Sequence, residues 1–384
     1  MNNPRRATIV GVHLTRQARR LEGRTSQELI IEAVRGALDD ASMSAREVDG
    51  VALEWPGPGG YAAEPSNWAP YFKNPLRWHS EGSLDTSGAR GAMRAAAAIE
   101  AGLCDTVILG GGQAGFWAGL TGKIGGGTGH EFADCFGITV MAQFAMVAQR
   151  HMHEFNIPPE YLANIAATIR NHGHANPAAA MHGAGPYTVA DVLASPYVAE
   201  PLHRLECCFM NDGACAVVIT TAERARDLKQ RPVSILGAAA EFHRWGDPPL
   251  YRDLRHLGKD AVARTLGPSG TKIQDVDVFS LYDATAYEVL RQYEMLGLCD
   301  EGEGGAFALD GNITFGGAAP TNLDGGLLAF SWVGKAQTTM RLIEAVRQVR
   351  GTAVGHQVEG AELAFTANAG SGAWRVEMML VGRA

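Results

Sequence analysis

The sequence predicts an α/β fold made of two similar halves, because segments with strand and helix patterns alternate along the chain. One strand–helix–strand–helix–strand order occurs twice, and the two copies meet near Lys229–Pro232. The chain has 384 residues, of which 46% are hydrophobic, so it is long enough for two or three domains with buried cores. We therefore expect an N-terminal half over residues 1–229 and a C-terminal half over 230–384.

The first half begins with an apolar segment over 7–12, which predicts a buried strand. Apolar residues then recur at helical spacing over 27–41, and Ser26 is a suitable N-cap for this helix. A second strand, an alanine-rich helix and a third strand follow, predicted over 47–55, 89–101 and 105–111.

The second half repeats this order with different residues. Its strands are predicted over 234–242, 273–283 and 361–368, and its helices over 251–267 and 340–350. Before it, residues 112–200 are rich in Gly, His and Pro and contain one clear helical pattern, at 142–154. We expect this segment to be an insertion that lies over the first half, where functional loops often occur.

The composition excludes several classes of function. The formal net charge is −8, and no basic stripe is available to neutralise nucleic-acid phosphates. No apolar run reaches the roughly 18 residues that a membrane span needs. Six cysteines without a C-x-x-C spacing do not indicate a disulfide framework, so we expect a reduced, cytoplasmic, globular protein.

Three motifs are better explained by structure than by function. Gly110-x-Gly112-x-x-Gly115 has the spacing of a dinucleotide fingerprint, but no helical pattern follows it directly. The His-x-His pair 151/153 falls in a helical pattern, where residues two apart point in different directions and cannot easily share a metal ion. The pair 172/174 lacks a third ligand at a suitable spacing, so positioned loop histidines are favoured over a metal site. Cys207-Cys208 adjoins a buried strand pattern and is interpreted as a pair of core thiols.

Seven segments, spread over nearly the whole chain, carry a family resemblance. They are ELIIEAVRGALDDA with the following VDG, AAAAIEAGLCDTVILGG, HGHANPAA, ASPYVAEPLHRLECCFMNDGACAVVITTAERA, YEMLGLCDEGEGGAF, PTNLDGGLLAF and EAVRQVRG. Together they resemble the thiolase superfamily, specifically its sterol-carrier-protein type. The resemblance implies two duplicated βαβαβαββ halves in five layers, with a loop domain inserted in the N-terminal half. It also implies a homodimer and an acyl-CoA substrate, with coenzyme A as part of the substrate and no resident cofactor or metal.

The resemblance also locates the positions that thiolases use for catalysis, and there this chain differs. Asp85 stands where thiolases carry their nucleophilic cysteine, and Tyr282-Asp283 stands at the histidine of a His-Asp-Cys-Phe stretch. The histidine of a Gly-His-Pro stretch falls near Trp332, with Ser331 beside it. An acyl-enzyme mechanism is therefore not expected at these positions.

What remains at these positions suits a thioester enolate. Backbone N–H groups after Asp85 and in Gly370-Ser371-Gly372 are predicted to stabilise a thioester oxygen, as an oxyanion hole does. Retro-aldol cleavage of a β-hydroxyacyl-CoA needs a base and such donors, but no covalent nucleophile. A thiolase-like chain without the cysteine is therefore coherent with an acyl-CoA aldolase.

The steroid side-chain-cleaving aldolases show a similar departure from thiolases. Likeness to them implies that Tyr282 is the general acid/base and that the protein acts with a small zinc-ribbon/OB-fold partner in a heterotetramer. One difference is that these aldolases carry a second tyrosine in the glycine-rich segment after a Gly-Gly pair, whereas residues 327–339 contain none.

Several site residues have two interpretations. Asp85 assists or orients the acid/base, or it is only a helix N-cap. Asp283 takes part in catalysis or holds neighbouring backbone, and Trp332 with Ser331 shapes the acyl-CoA pocket or packs inside the dimer. Two other functions also stay open: a thiolase or acyltransferase with a displaced nucleophile such as Cys135, and a non-catalytic thiolase-like subunit.

Overall fold

The computed structural model describes residues 4–53, 65–80, 88–115, 140–242, 257–368 and 375–384. Its strands are β1 Ala7–Leu14, β2 Gly50–Leu53, β3 Trp78–His79, β4 Thr106–Gln113, β5 Tyr197–Ala199, β6 Leu202–His203, β7 Gly213–Thr221, β8 Val233–Phe242, β9 Val278–Leu281, β10 Leu363–Asn368 and β11 Arg375–Arg383. Its α-helices are α1 Ser26–Ala41, α2 Pro65–Phe72, α3 Gly88–Glu100, α4 Val140–Phe155, α5 Pro159–Ala175, α6 Val189–Ala194, α7 Ala222–Ala225, α8 Lys259–Leu266, α9 Ala286–Leu296, α10 Gly304–Leu309, α11 Gly326–Phe330 and α12 Gln337–Arg350.

The main sheet of the described residues has a symmetric strand order, β3–β2–β4–β7–β1–β8–β11–β10–β9. At its centre β1 and β8 pair antiparallel, with Thr8 opposite Ser234. Moving outward from this pair, one side runs β1, β7, β4, β2 and the other runs β8, β11, β10, β9. In both series the second strand pairs antiparallel with its two neighbours, and the third and fourth strands pair parallel. The repeated pattern of the sequence therefore has a counterpart in the sheet.

Alternating side chains bury the two faces of the first half against different helices. Along β7, Ala216 and Val218 belong to the apolar cluster that includes α1, whereas Val217 and Ile219 belong to the cluster that includes α3. Helix α3 also packs against α12, and α12 contacts β9 and β10 of the second half. The pair α3 and α12 thus connects the two halves on one face of the sheet.

Two glycines of the fingerprint-like motif, Gly110 and Gly112, lie inside β4, and Gly115 follows the strand. A Cβ atom on Gly110 would lie 2.3 Å from the Cys215 carbonyl oxygen, and one on Gly112 would lie 2.4 Å from the Ala214 Cβ. Strand β7 therefore approaches so closely that only glycine fits. The spacing of these glycines has a packing cause.

Two expectations about helices are wrong. Helix α1 begins at Ser26, but its N-cap is Thr25, which forms a capping box with Glu28, while the Ser26 hydroxyl binds the Ala114 backbone. In the 112–200 segment α4 matches the expected helix, but α5 and α6 are additional.

His172 and His174 lie on α5, and the interpretation of this pair as loop histidines is wrong. Between them, Gly173 is the contact point with α11, because a Cβ there would lie 2.1 Å from the Ala329 Cβ. Within the described ranges, none of the helices is both long and apolar enough to cross a membrane.

Candidate active site

The candidate site lies at the edge of the sheet where the parallel strands β9 and β10 end. Tyr282 follows β9 directly, and its backbone N–H donates to the Ala367 carbonyl at 2.9 Å. Asn368 ends β10 and donates from its amide to Glu377 Oε2 at 3.0 Å. Arg90, in the first turn of α3, forms an ion pair with the same carboxylate. The start of α3 therefore meets the carboxyl ends of β9 and β10, which is where α/β proteins commonly bind ligands.

The Tyr282 side chain is 5% exposed. Its main chain is fixed from the other side, since the Gln292 side chain on α9 donates to the Tyr282 carbonyl at 2.7 Å. Burial raises the pKa of the phenol well above its usual value, and Cys208, Glu288 and Asp283 act in the same direction. Arg375 lowers this pKa. The phenol is therefore protonated in the resting protein at neutral pH.

Asp283 is fully buried and holds the first turn of α11. Its carboxylate accepts from the backbone N–H groups of Leu327 at 2.8 Å and Leu328 at 3.2 Å. Burial raises its pKa to about 6, against the opposing effects of Arg341 and the two N–H donors. At Gly326, with φ +59°, a Cβ would lie 1.9 Å from Asp283 Oδ2, so only glycine permits this contact. The contacts fit the interpretation that Asp283 holds backbone; its part in catalysis stays a prediction.

Ser331 and Trp332 follow α11 in an unusual backbone conformation. Ser331 is buried with φ +96°, a value that non-glycine residues rarely adopt. Such strain often occurs at functional sites. Trp332 is fixed to the segment before β7, because its N–H donates to Phe209 at 2.7 Å and its carbonyl accepts from Asn211 at 3.1 Å. This connection brings the 209–211 segment to the end of α11.

A cleft of about 560 Å³ lies on the other side of the 207–211 segment. Four arginines line it, namely Arg16, Arg19, Arg170 and Arg204, together with apolar and aromatic side chains that include Met181, Tyr187 and Phe209. Arg170 at its wall donates to the carbonyls of Leu205, Leu328 and Cys207 at 2.6–2.9 Å. It thereby joins α5 to α11 and to the cleft.

Cys207 and Cys208 also line this cleft, next to the candidate site. The Cys208 N–H donates to the Ala284 carbonyl at 2.9 Å. Burial raises the pKa of Cys207 to about 12 and raises that of Cys208 further. Both side chains are therefore thiols at neutral pH, which does not suit a nucleophile.

Several predicted site residues lie outside the described residues, namely Asp85, Cys135, Gly370, Ser371 and Gly372. Tyr282, Asp283, Ser331 and Trp332 all lie near α11 and the ends of β9 and β10. Within the described ranges, no group of three or more His, Cys, Asp and Glu side chains is arranged to hold a metal ion.

The sequence was not interpreted to place Arg90, Arg375 or Glu377 in the site. A pattern in β11 could have indicated two of them, because Arg375 and Glu377 are two residues apart among apolar residues and therefore share a face of the strand. No local pattern indicates that Arg90, on a distant helix, meets them.

Comparisons with known proteins identify the fold and the family. Residues 247–383 match the family described as thiolase C-terminal domain-like. The solved structure of the Ltp2-ChsH2(DUF35) aldolase resembles this chain with a TM-score of 0.84 at 29% identity, covering 99% of this chain and 98% of that one. The predicted thiolase-like α/β fold is confirmed.

Two curated relatives align over almost the whole chain. The steroid side-chain-cleaving aldolase of Thermomonospora curvata is 30% identical over 96% of each protein. The 17-hydroxy-3-oxo-4-pregnene-20-carboxyl-CoA lyase of Mycobacterium tuberculosis is 33% identical over 93% of this chain and 94% of its own length. The chain therefore belongs to the thiolase superfamily, among the sterol-carrier-type thiolase-like proteins that include these aldolases.

Proposed function

We propose that this protein is an acyl-CoA aldolase, a carbon–carbon lyase that cleaves a β-hydroxyacyl-CoA into an aldehyde or ketone and a shorter acyl-CoA. The observation that carries the proposal is Tyr282, a buried phenol at the end of β9, where thiolases carry a histidine. The two full-length relatives, both named as carbon–carbon-cleaving enzymes, support the same reaction class.

In the proposed reaction the phenolate form of Tyr282, a minor species at neutral pH, accepts the proton of the β-hydroxyl group. The bond between the α- and β-carbons breaks, its electron pair forms the thioester enolate, and the β-carbon becomes the carbonyl of the released product. The enolate then takes a proton at its α-carbon from the Tyr282 phenol, which returns this side chain to the phenolate. Backbone N–H groups near Asp85 and Gly372 are proposed to stabilise the enolate oxygen.

Asp85 and Asp283 are proposed to support this chemistry rather than to perform it. Asp85, which precedes α3 in the sequence, would assist or orient the phenol. Asp283 accepts from the N–H groups of Leu327 and Leu328 and would thereby hold the first turn of α11, which leads to Ser331, against the residue next to Tyr282. This arrangement needs no enzyme nucleophile, in agreement with the protonated state of Cys207 and Cys208.

The cleft beside the site is proposed to take part of the coenzyme A moiety. Arg16, Arg19 and Arg204 supply positive charge for phosphate groups, and the apolar wall suits pantetheine. We also propose a homodimer and a small zinc-ribbon/OB-fold partner. The solved relative described as an aldolase of Ltp2 with ChsH2(DUF35) supports an assembly of this kind.

The test is to incubate the purified chain, with and without such a partner, with a β-hydroxyacyl-CoA. Release of aldehyde or ketone without consumption of free CoA supports the lyase. Strict dependence on free CoA would instead favour a thiolase, and no turnover in either mixture would favour a non-catalytic subunit.

The variant Tyr282→Phe is expected to lower the rate at least ~10²-fold, the usual scale of general acid–base catalysis. Its control is Tyr71→Phe on α2, which also removes a phenol hydroxyl but only one that accepts from Arg35 at 3.1 Å. Near-normal turnover by Tyr282→Phe would remove Tyr282 from the mechanism.

A further inference from the structure

A buried charged cluster lies next to Tyr282, and the proposed reaction does not yet use it. It consists of Arg375 and Glu377 on β11, Asn368 on β10 and Arg90 on α3. Glu377 is 3% exposed, and Arg375 and Arg90 are 8% and 9% exposed. The Glu377 carboxylate forms ion pairs with Arg375, whose Nε lies at 3.2 Å, and with the Arg90 guanidinium, and it accepts a hydrogen bond from Asn368 Nδ2 at 3.0 Å. Glu377 thus binds three side chains from three elements.

The register of the strands places this cluster and Tyr282 on the same face of the sheet. Leu281 on β9 is in register with Ala367 on β10. The next residues, Tyr282 and Asn368, therefore both point to the face of the sheet opposite to the side chains of Leu281 and Ala367. Asn368 is directly opposite Glu377 on β11, and Arg375 is two residues before Glu377. The four side chains therefore follow one another along the face that α3 covers.

The charged and titratable groups that face the phenol come from several elements. Cys208 lies before β7, Glu288 is on α9, Asp283 adjoins Tyr282, and Arg375 heads β11. Of these four, the first three oppose a negative charge on the phenol oxygen, and burial opposes it as well. Arg375 is the one that favours it.

We propose that Arg375 is a positioning residue that favours the ionised form of Tyr282 through its positive charge, and that Glu377 holds Arg375 in place. The proposal rests on the proposed role of Tyr282 as acid/base. It gives a physical reason for a charged cluster under the start of α3, since an arginine held by a buried carboxylate cannot turn away into solvent.

The test measures the ionisation of residue 282 directly. A fluorinated tyrosine of lower phenol pKa, incorporated at position 282, allows phenolate absorbance to be followed in a pH range where the protein stays folded. Arg375→Gln is expected to raise the pKa of this phenol by about 1 unit or more, because it removes the positive charge that lowers this pKa. Arg375→Lys keeps the positive charge. Its phenol pKa is expected to be lower than that of Arg375→Gln by at least half of the difference between Arg375→Gln and the wild type. A purely structural role predicts no such rescue by lysine.

The same variants are then assayed with the natural Tyr282. Arg375→Gln is expected to lower kcat/KM about tenfold or more at pH 7 and to move the rising limb of the pH profile upward. The control is Arg350→Gln, which removes an equally buried arginine that pairs with Asp40 at 2.8 Å in another part of the fold. It is expected to leave the phenol titration unchanged.

Glu377 keeps Arg90 and Asn368 as partners in Arg375→Gln, so this variant leaves the buried carboxylate paired. If Arg375→Gln does not fold, Arg375→Met, which has a similar unbranched side chain, is used instead. Equal phenol titration in the wild type and the neutral variants overturns the inference, even if Tyr282→Phe is inactive. If Tyr282→Phe turns over normally, the proposed role of Tyr282 as acid/base fails, while the titration still decides the effect of Arg375.

Discussion

Asp283 provides a test of how burial and hydrogen bonds compete at the site. Its pKa is raised from the ordinary value of 3.8 to about 6, because loss of hydration outweighs the two N–H donors and Arg341. The unfolded chain therefore releases this proton at lower pH than the folded protein does. The contribution of protonated Asp283 to the free energy of unfolding is fully present below pH 3.8 and is lost as the pH rises through about 6.

The magnitude follows from the shift of about 2 units, which corresponds to about 3 kcal/mol. Asp283→Asn cannot titrate. We expect the free energy of unfolding of the wild type, relative to this variant, to fall by about 3 kcal/mol between pH 3.5 and pH 7. Asp283→Asn also lowers the free energy of unfolding by an amount that does not depend on pH, because its amide NH₂ would face one of the two backbone donors. That amount cancels when the two pH values are compared.

The assay is urea unfolding followed by circular dichroism at the two pH values, for the wild type and Asp283→Asn. Asp260→Asn is the control, because its side chain is 76% exposed and its ion pair with Arg264 lies on the surface of α8. A constant difference between the wild type and Asp283→Asn would refute the raised pKa. A wild type that gains relative stability as the pH rises would show that the N–H donors and Arg341 outweigh burial.

Two further predictions concern the same region, in addition to those for Tyr282 and Arg375. Gly326→Ala is expected to lower the melting temperature and the activity strongly, because its Cβ would overlap the Asp283 carboxylate. Gly311→Ala is the control, because its Cβ meets no atom within 4 Å. It is expected to lower the free energy of unfolding by only about 1 kcal/mol, for its φ of +84°. Cys207→Ser is expected to retain activity within a few-fold, and Cys207 to react slowly with iodoacetamide at pH 8, because its pKa is about 12. Loss of activity in a folded Cys207→Ser would contradict the absence of a thiol nucleophile there.

Most strands of the main sheet were predictable because their sequence patterns are local, whereas β3 and β11 were not predicted. Each long strand carries a run of apolar residues, and the second half repeats the order of the first. Helix α5 was not predictable in this way. Its end contains His172, Gly173 and His174, a local pattern typical of a loop, and the reason for the glycine is its contact with Ala329, more than 150 positions away.

The candidate site also combines residues that the sequence indicates with residues that it does not. Tyr282 and Asp283 are predicted as site residues because they replace residues at known positions of a family resemblance, and their roles stay predictions. The charged cluster is not found, because Arg90, Asn368 and Glu377 meet only after α3 packs on the ends of β10 and β11. An arginine in an alanine-rich helix and a glutamate in a terminal strand have no sequence feature that joins them.

The electrostatics of Tyr282 bear on how one phenol would serve both proton transfers of the proposed reaction. A raised pKa makes the phenolate rare at neutral pH in the first step, where it would act as a base, and it makes the phenol a weaker acid in the second step, where it would protonate an enolate. Burial together with Cys208, Glu288 and Asp283 raises this pKa, whereas Arg375 lowers it and so favours both steps. A site with burial alone would leave the phenol protonated throughout, and a site with a stronger cation would trap the phenolate. The balance depends on how firmly Arg375 is held, and Glu377 sets this by sharing its carboxylate between Arg375 and Arg90. A change in this pairing that raises the pKa of Tyr282 should therefore slow both cleavage and enolate protonation.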